Sequence, residues 1–280
     1  MTLSVIVPTR NRADLWSRHW LLESLRTQTS LPDELIIATD HTEDDTVPTI
    51  LRSTRKLAPR FPVRIIDVTA ARPGPFPASG VPDNCLFHAA SGDVMLHVDD
   101  DIALPPGYIA QMRALFAGAP SAVIWGLIQF VDADRLPIDE GAGIDPRHWL
   151  ALKQRWTLLP GAIRQMPRTQ QTHWGAVFAV TARDIRAIGG HDLAGCGFHN
   201  QDTRLGNRLA RYCAGSYVTA TDELTALHFG RTWHMTNVKE PAKIRAAYAT
   251  AAGPKIANGG NAFWTSPWFD SAYTTTHNLA

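Results

Sequence analysis

With 280 residues, 45% hydrophobic and 19% charged, the chain can bury one large core or two small ones and has the composition of a soluble globular enzyme. Its 27 basic side chains nearly cancel 26 acidic ones, leaving +1. No overall field therefore draws it to nucleic acid or anionic lipid, and an anionic ligand must be held by local chemistry.

The first residues enter a strand-like run with no secretory-signal pattern, and the longest apolar run, Ala122 to Val131, is too short to span a bilayer. Cys85, Cys196 and Cys213 are odd in number and not in paired spacing, so neither a disulfide framework nor a zinc knuckle is implied. A cytosolic location without an integral membrane segment is expected.

Leu3 to Pro8 reads as a first, buried strand. A helix is expected from Ala13 to Thr27, with Asn11 as N-cap and Leu15, Leu22 and Leu25 facing inward. Glu34 to Thr39 reads as a second strand, Thr42 to Lys56 as a helix and Val63 to Val68 as a third strand. After the Pro/Gly-rich loop Ala71–Pro82, Asp83 to Ala90 looks helical and Asp93 to Val98 reads as the fourth strand. Pro105-Pro106 opens a helix whose Ile109, Met112, Leu115 and Phe116 form an apolar face.

This alternation predicts an α/β fold with a mostly parallel sheet covered on both faces, and ligands beyond the carboxyl ends of its strands. The second half is less regular. Ala122 to Val131 and Trp174 to Val180 are strand candidates. Thr181 to Ile188 is a short helix, capped by Thr181 and stopped by Gly189-Gly190. Gln201 to Tyr212 is another, with Leu205 and Leu209 inward. The last fifty residues read as loops and short helices, compatible with a lid.

The fourth strand ends in Asp99-Asp100-Asp101. Strand alternation turns Asp99 and Asp101 one way and Asp100 the other. Such crowded carboxylates call for a divalent cation that prefers oxygen ligands, although a solvated acidic turn is the plainer reading. His97 shares the parity of Asp99 and could support it from behind, although core packing is its plainer reading. The chain has no G-x-x-x-x-G-K-[ST], no complete G-x-G-x-x-G, no serine nucleophile elbow and no H-E-x-x-H. P-loop enzymes, simple dinucleotide enzymes, α/β-hydrolases and zincins are disfavoured.

Four segments in order carry a resemblance. Val5-Ile6-Val7-Pro8-Thr9-Arg10-Asn11-Arg12 opens the chain; Asn84 precedes Gly92-Asp93 and the aspartate triplet. Gly189-Gly190-His191-Asp192 follows, and then Gly195-Cys196-Gly197 with Gln201-Asp202-Thr203-Arg204-Leu205. From about residue 3 to 230 the chain resembles the family 2 glycosyltransferases of the nucleotide-diphospho-sugar transferase (GT-A) fold.

That resemblance implies a Rossmann-like central sheet with helices on both faces. Residues 1–120 would form the nucleotide-sugar-binding half of one domain, 121–230 the acceptor and catalytic half, and 231–280 a terminal segment able to act as a lid. Pro8, Thr9 and Arg12 would line the nucleoside pocket. Asp40, Asn84, Asp99, Asp100 and Arg231 would complete the donor-binding set, with Asp99 meeting ribose or metal. Asp101 and His228 would ligate Mn²⁺ or Mg²⁺, and Asp202 would be the general base. The reaction implied is transfer from a UDP-sugar to a hydroxyl of a soluble small-molecule or saccharide acceptor, with inversion.

The chemistry agrees with those roles: a cation can stabilise a departing diphosphate, a base must take the acceptor proton, and a helix start favours an ionised Asp202. Helix capping alone is the plainer alternative for Asp202, and a structural hydrogen bond the plainer alternative for His228. Two departures stand out. Thr39-Asp40-His41-Thr42 replaces the family's usual Asp-Asp-Gly-Ser, and Gln201 replaces its usual glutamate, leaving base specificity and the acceptor contact open. A sugar-nucleotide nucleotidyltransferase is the second enzyme reading, weakened by the lack of glycines after the first strand. A non-catalytic carbohydrate-binding protein is the third.

Overall fold

The computed structural model describes residues 1–40, 42–68, 80–130, 164–165, 176–191, 201–218, 224–229 and 275–279. The strands are β1 (Leu3–Thr9), β2 (Glu34–Thr39), β3 (Val63–Asp67), β4 (Val94–Val98), β5 (Ile102–Ala103), β6 (Ala122–Trp125), β7 (Leu127–Phe130), β8 (Arg164–Gln165), β9 (Val177–Thr181), β10 (Gly215–Val218), β11 (Thr225–His228) and β12 (Thr275–Leu279). The helices are α1 (Ala13–Ser17), α2 (Trp20–Arg26), α3 (Thr46–Leu57), α4 (Gly80–Ala89), α5 (Tyr108–Gly118), α6 (Ala182–Ala187) and α7 (Gln201–Tyr212).

Nine strands form one sheet in the order β12-β3-β2-β1-β4-β9-β6-β10-β8, and β5-β11-β7 form a second. In the large sheet β3, β2, β1, β4, β6 and β10 run one way, while β12, β9 and β8 oppose them. The large sheet is thus mixed and mainly parallel, as the alternation of strands and helices leads one to expect.

The strands of such a sheet read as unbroken apolar runs because both faces are covered. Val5, Val7, Leu35 and Ile37 pack on one face with Leu22, Ile50 and Met112 of α2, α3 and α5. Their neighbours Ile6 and Ile36 pack on the other with Leu86, Ile185, Leu205 and Leu209 of α4, α6 and α7. The chain steps from β1 outward through β2 to β3, then returns to place β4 on the other side of β1. The crevice between the carboxyl ends of β1 and β4 is thus the topological switch point, where open sheets bind ligands.

Several expected elements are redrawn. The helix expected over Ala13–Thr27 is two, broken at His19, which adopts a left-handed φ of 61°. That conformation costs on the order of 1 kcal/mol for a residue with a Cβ, and the His19 ring meets the Trp16 carbonyl at 3.1 Å. The break lets Trp16 and Trp20 both be buried. The strand expected over Ala122–Val131 is also two, parting at Gly126 so that β6 joins the large sheet and β7 the small one. A Cβ at Gly126 would collide with the Tyr108 hydroxyl and crowd the Val177 side chain, so the close packing at this parting favours glycine.

Helix starts move too: α3 begins at Thr46 rather than Thr42, α4 at Gly80 rather than Asp83, and α5 at Tyr108, beyond the prolines. Part of the terminal segment, expected as loops and short helices, is strand: β12 pairs antiparallel with β3 and covers what would otherwise be an open edge. The rest of the expected lid, residues 231–274 and 280, lies outside the described residues. Among the described residues no helix is long and apolar enough to cross a membrane.

Candidate functional site

The strand β4 stops at Val98, and Asp99 to Ile102 form a turn closed by the Ile102 N–H to the Asp99 carbonyl, 3.2 Å. The turn is held from two sides. Asp99 N–H donates to the Ala176 carbonyl at 2.9 Å, and Phe229 N–H donates to the Asp101 carbonyl at 2.8 Å. Below it, buried Gln28 donates to the Pro105 carbonyl at 2.8 Å and accepts from Ile109 N–H at 3.2 Å. It thereby serves one of the free N–H groups at the start of α5.

The second bond matters most, because it carries His228 in. β11 pairs antiparallel with β5, setting His228 opposite Ile102, the residue after Asp101. Phe229 is anchored by stacking on Trp20, with centroids 4.0 Å apart. In consequence one ligand atom from each of Asp99, Asp101 and His228 lies within 4.8 Å of the others. His228 Nε2 is 3.5 Å from Asp101 Oδ1. Burial pushes the His228 pKa down to about 4, against the pull of Asp100 and with the push of Arg12. The ring is therefore neutral at physiological pH, the form that ligates metals. Two carboxylates and a neutral imidazole in a half-buried corner are a donor set fit for a divalent cation.

Asp100 takes the other side, across the β1/β4 crevice. Its Oδ2 accepts from Thr9 Oγ1 at 2.6 Å, and Thr9 Oγ1 accepts from the Trp16 indole N–H at 2.9 Å. Arg12 Nε lies 3.8 Å from Asp100 Oδ1. Burial, then the neighbouring Asp101 charge, raise the Asp100 pKa to about 7, with Arg12 and Thr9 pulling it back. A positive charge entering beside Asp99 and Asp101 would relieve that repulsion. Arg12 is itself held by its main chain: its backbone N–H donates to Thr46 Oγ1 at 2.7 Å, and that hydroxyl donates to Asp44 Oδ1 at 2.5 Å.

The other expected residues distribute differently. Pro8 lies in β1, opposite Ala38 of β2. Asp40, beside Thr39 at the end of β2, is buried, and its charge joins burial in pushing the Cys85 thiol up to about 12. Asn84 is fully buried and its amide is engaged by main chain: it donates to the His191 carbonyl at 3.0 Å and accepts from His191 N–H at 2.7 Å. Asp202 lies in the first turn of α7, whose start falls at Gln201 as expected. The Asp202 side chain and Arg231 lie outside what is described.

The sequence reading named His97 and His191 separately and did not bring them together with Asp83. His97 Nε2 is 3.0 Å from Asp83 Oδ1, and His191 Nε2 is 3.3 Å from Asp83 Oδ2, all three residues buried. They come from β4, α4 and the turn after α6, so no spacing in the sequence signals them. His97 also stacks on Phe178, at 4.8 Å between centroids.

Glycosyl transferase family 2 matches residues 4–173, more than half of the chain. The chain belongs to that family. No curated protein sequence matches it. Among solved structures, residues 1–349 of S. aureus TarS in complex with UDP-GlcNAc align with a TM-score of 0.59 and 18% identity over 90% of this chain and 66% of that one. GalNAc-T7 with UDP, GalNAc and Mn²⁺ aligns with a TM-score of 0.59 and 13% identity over 82% of this chain and 44% of that one. This family 2 chain thus spans about two thirds of the TarS fragment and under half of GalNAc-T7. At such identities the likeness establishes the GT-A fold that the sequence led one to expect.

Proposed function

We propose that the protein is a metal-dependent glycosyltransferase that moves a sugar from a UDP-sugar to a hydroxyl of a soluble acceptor, with inversion, and that it works in the cytoplasm. The observation that carries this reading is the convergence of Asp99, Asp101 and His228 beside the β1/β4 switch point. Family membership supports the reaction class. The complexes of TarS with UDP-GlcNAc and of GalNAc-T7 with UDP and Mn²⁺ favour a uridine diphosphate donor and a divalent cation.

In this reading Asp99, Asp101 and His228 hold Mn²⁺ or Mg²⁺, and the imidazole favours Mn²⁺ over the harder Mg²⁺. Bound there, the cation would neutralise charge on the departing diphosphate. Thr9, Arg12 and Asp100 line the nucleoside side of the crevice, with Arg12 kept in place by Thr46 and Asp44. Asp202, near the positive end of the α7 dipole, is assigned to take the acceptor hydroxyl proton as that oxygen bonds to the anomeric carbon and the bond to the diphosphate breaks. Base and leaving group on opposite faces of the sugar give inversion.

The test is a panel of sugar nucleotides, scored by Mn²⁺-dependent rise in melting temperature and by release of free UDP when acceptors are added. A UDP-sugar that stabilises only with Mn²⁺ is expected. Release of pyrophosphate instead of UDP would overturn the reading. Asp202→Asn should keep Mn²⁺-dependent UDP binding while losing transfer, and undiminished turnover would remove Asp202 from the base role.

A further inference from the structure

Burying a carboxylate between two imidazoles is expensive, and apolar side chains of the same volume would hold three elements together at least as well. What directional polar contacts add is a single allowed arrangement. The neighbours of the Asp83 cluster show what is being arranged.

His191 is gripped twice, by Asp83 at its ring and by Asn84 at both its N–H and its carbonyl. Gly190 before it has a φ of +65°, and a Cβ there would run into the Asn84 amide oxygen. The Gly190 carbonyl accepts from Arg208 Nη1 at 2.8 Å, and Arg208 lies on α7, six residues after Asp202. At the other end of the cluster, His97 lies two residues before Asp99 on the strand that delivers the metal-ligand turn. Among the described residues, Leu205 and Leu209 add an apolar grip on α7. Apolar contacts resist separation but do little to stop a helix sliding or rotating, and one residue of rotation swings a side chain by about 100°.

We infer that Asp83 is a positioning residue: by holding His97 and His191 it sets α7, through the Gly190–Arg208 bond, in register with the Asp99–Asp101–His228 group. The inference rests on the glycosyltransferase reading for its purpose, since α7 carries Asp202. The tether itself is a statement about contacts alone.

Spatial continuity does not by itself show coupling, so the test is a double-mutant cycle. Asp83→Asn keeps the volume but offers one acceptor oxygen where two are used. Arg208→Met keeps the stem and removes the bond to Gly190. Each single variant should lower kcat about 10-fold while leaving Mn²⁺-dependent UDP binding within about 2-fold, and the double variant should be no worse than the worse single one. Amide hydrogen exchange across residues 201–212 should rise in both variants and return toward wild type in Arg208→Lys.

Effects that multiply in the double variant, or UDP binding that falls together with kcat, would overturn the inference. So would unchanged exchange in α7. If Asp83→Asn does not fold, Arg208→Met, on a partly exposed residue, decides by the same readouts. If the wild type binds no UDP with Mn²⁺, the functional reading fails, while the exchange data still judge the tether.

Discussion

The two sides of the metal-ligand turn are built in different ways. On the Asp100 side, Thr9, Arg12 and Trp16 come from one stretch of eight residues at the end of β1 and the helix after it, and they meet a carboxylate in the turn that follows the adjacent strand β4. On the Asp99 and Asp101 side, His228 arrives from more than a hundred residues away by pairing β11 with a two-residue strand. The seam to α7 likewise joins β4, α4, the turn after α6 and α7 itself. Local construction makes the first side a property of β1 and β4, the sheet's central strands. Long-range construction makes the second side depend on every pairing that brings its pieces in.

Substitutions should expose that contrast. Gly190→Ala attacks the long-range side hardest, combining a left-handed backbone with a collision at Asn84. It should cost about 3 kcal/mol of stability, read as a lowered denaturant midpoint with unchanged slope. Asp101→Ala should weaken Mn²⁺ affinity by at least about 100-fold, the upper end of what losing even a supporting partner costs, and calorimetry would measure it. A similar affinity in Asp101→Ala would mean that the cation binds elsewhere.

Thr9→Val tests the local side. It strips Asp100 of a donor and leaves the buried Trp16 indole N–H without its acceptor, for a loss of about 2 kcal/mol in stability. Because the damage is local, exchange in α7 should be unaltered, unlike in the Arg208 variant.

The smallest effect is expected far from both sides. Glu34 is buried, which pushes its pKa up, but bonds from Ser4, Ser91 and Arg64 outweigh burial and hold it below the ordinary carboxylate value. A carboxylate with a depressed native pKa stabilises the fold above its unfolded value and loses that contribution as pH falls through the native one. Glu34→Gln should therefore cost about 1 kcal/mol at pH 7 and progressively less below about pH 4, with no effect on Mn²⁺ binding. A cost that persists at pH 3 would assign the effect to shape and not to charge.

Even where the sequence reading and the structure agree, their reasons can differ. Strand alternation was the ground for separating Asp100 from Asp99 and Asp101, yet β4 ends before all three. The separation arises from a turn pinned by Ala176 and Phe229. Asn84, carried over from a family pattern as a donor contact, has its amide engaged by the His191 main chain.

What the sequence by itself determined is everything that local chemistry dictates. Unbroken apolar runs alternating with amphipathic ones specify a parallel sheet covered on both faces, and a triplet of aspartates after such a run marks its carboxyl edge. Only the tertiary structure decided which histidines serve which carboxylates, where the helix breaks at His19, and that a terminal strand closes the sheet beside β3. Those outcomes depend on contacts between residues far apart in the chain, and such contacts leave no periodicity for a one-dimensional reading to find.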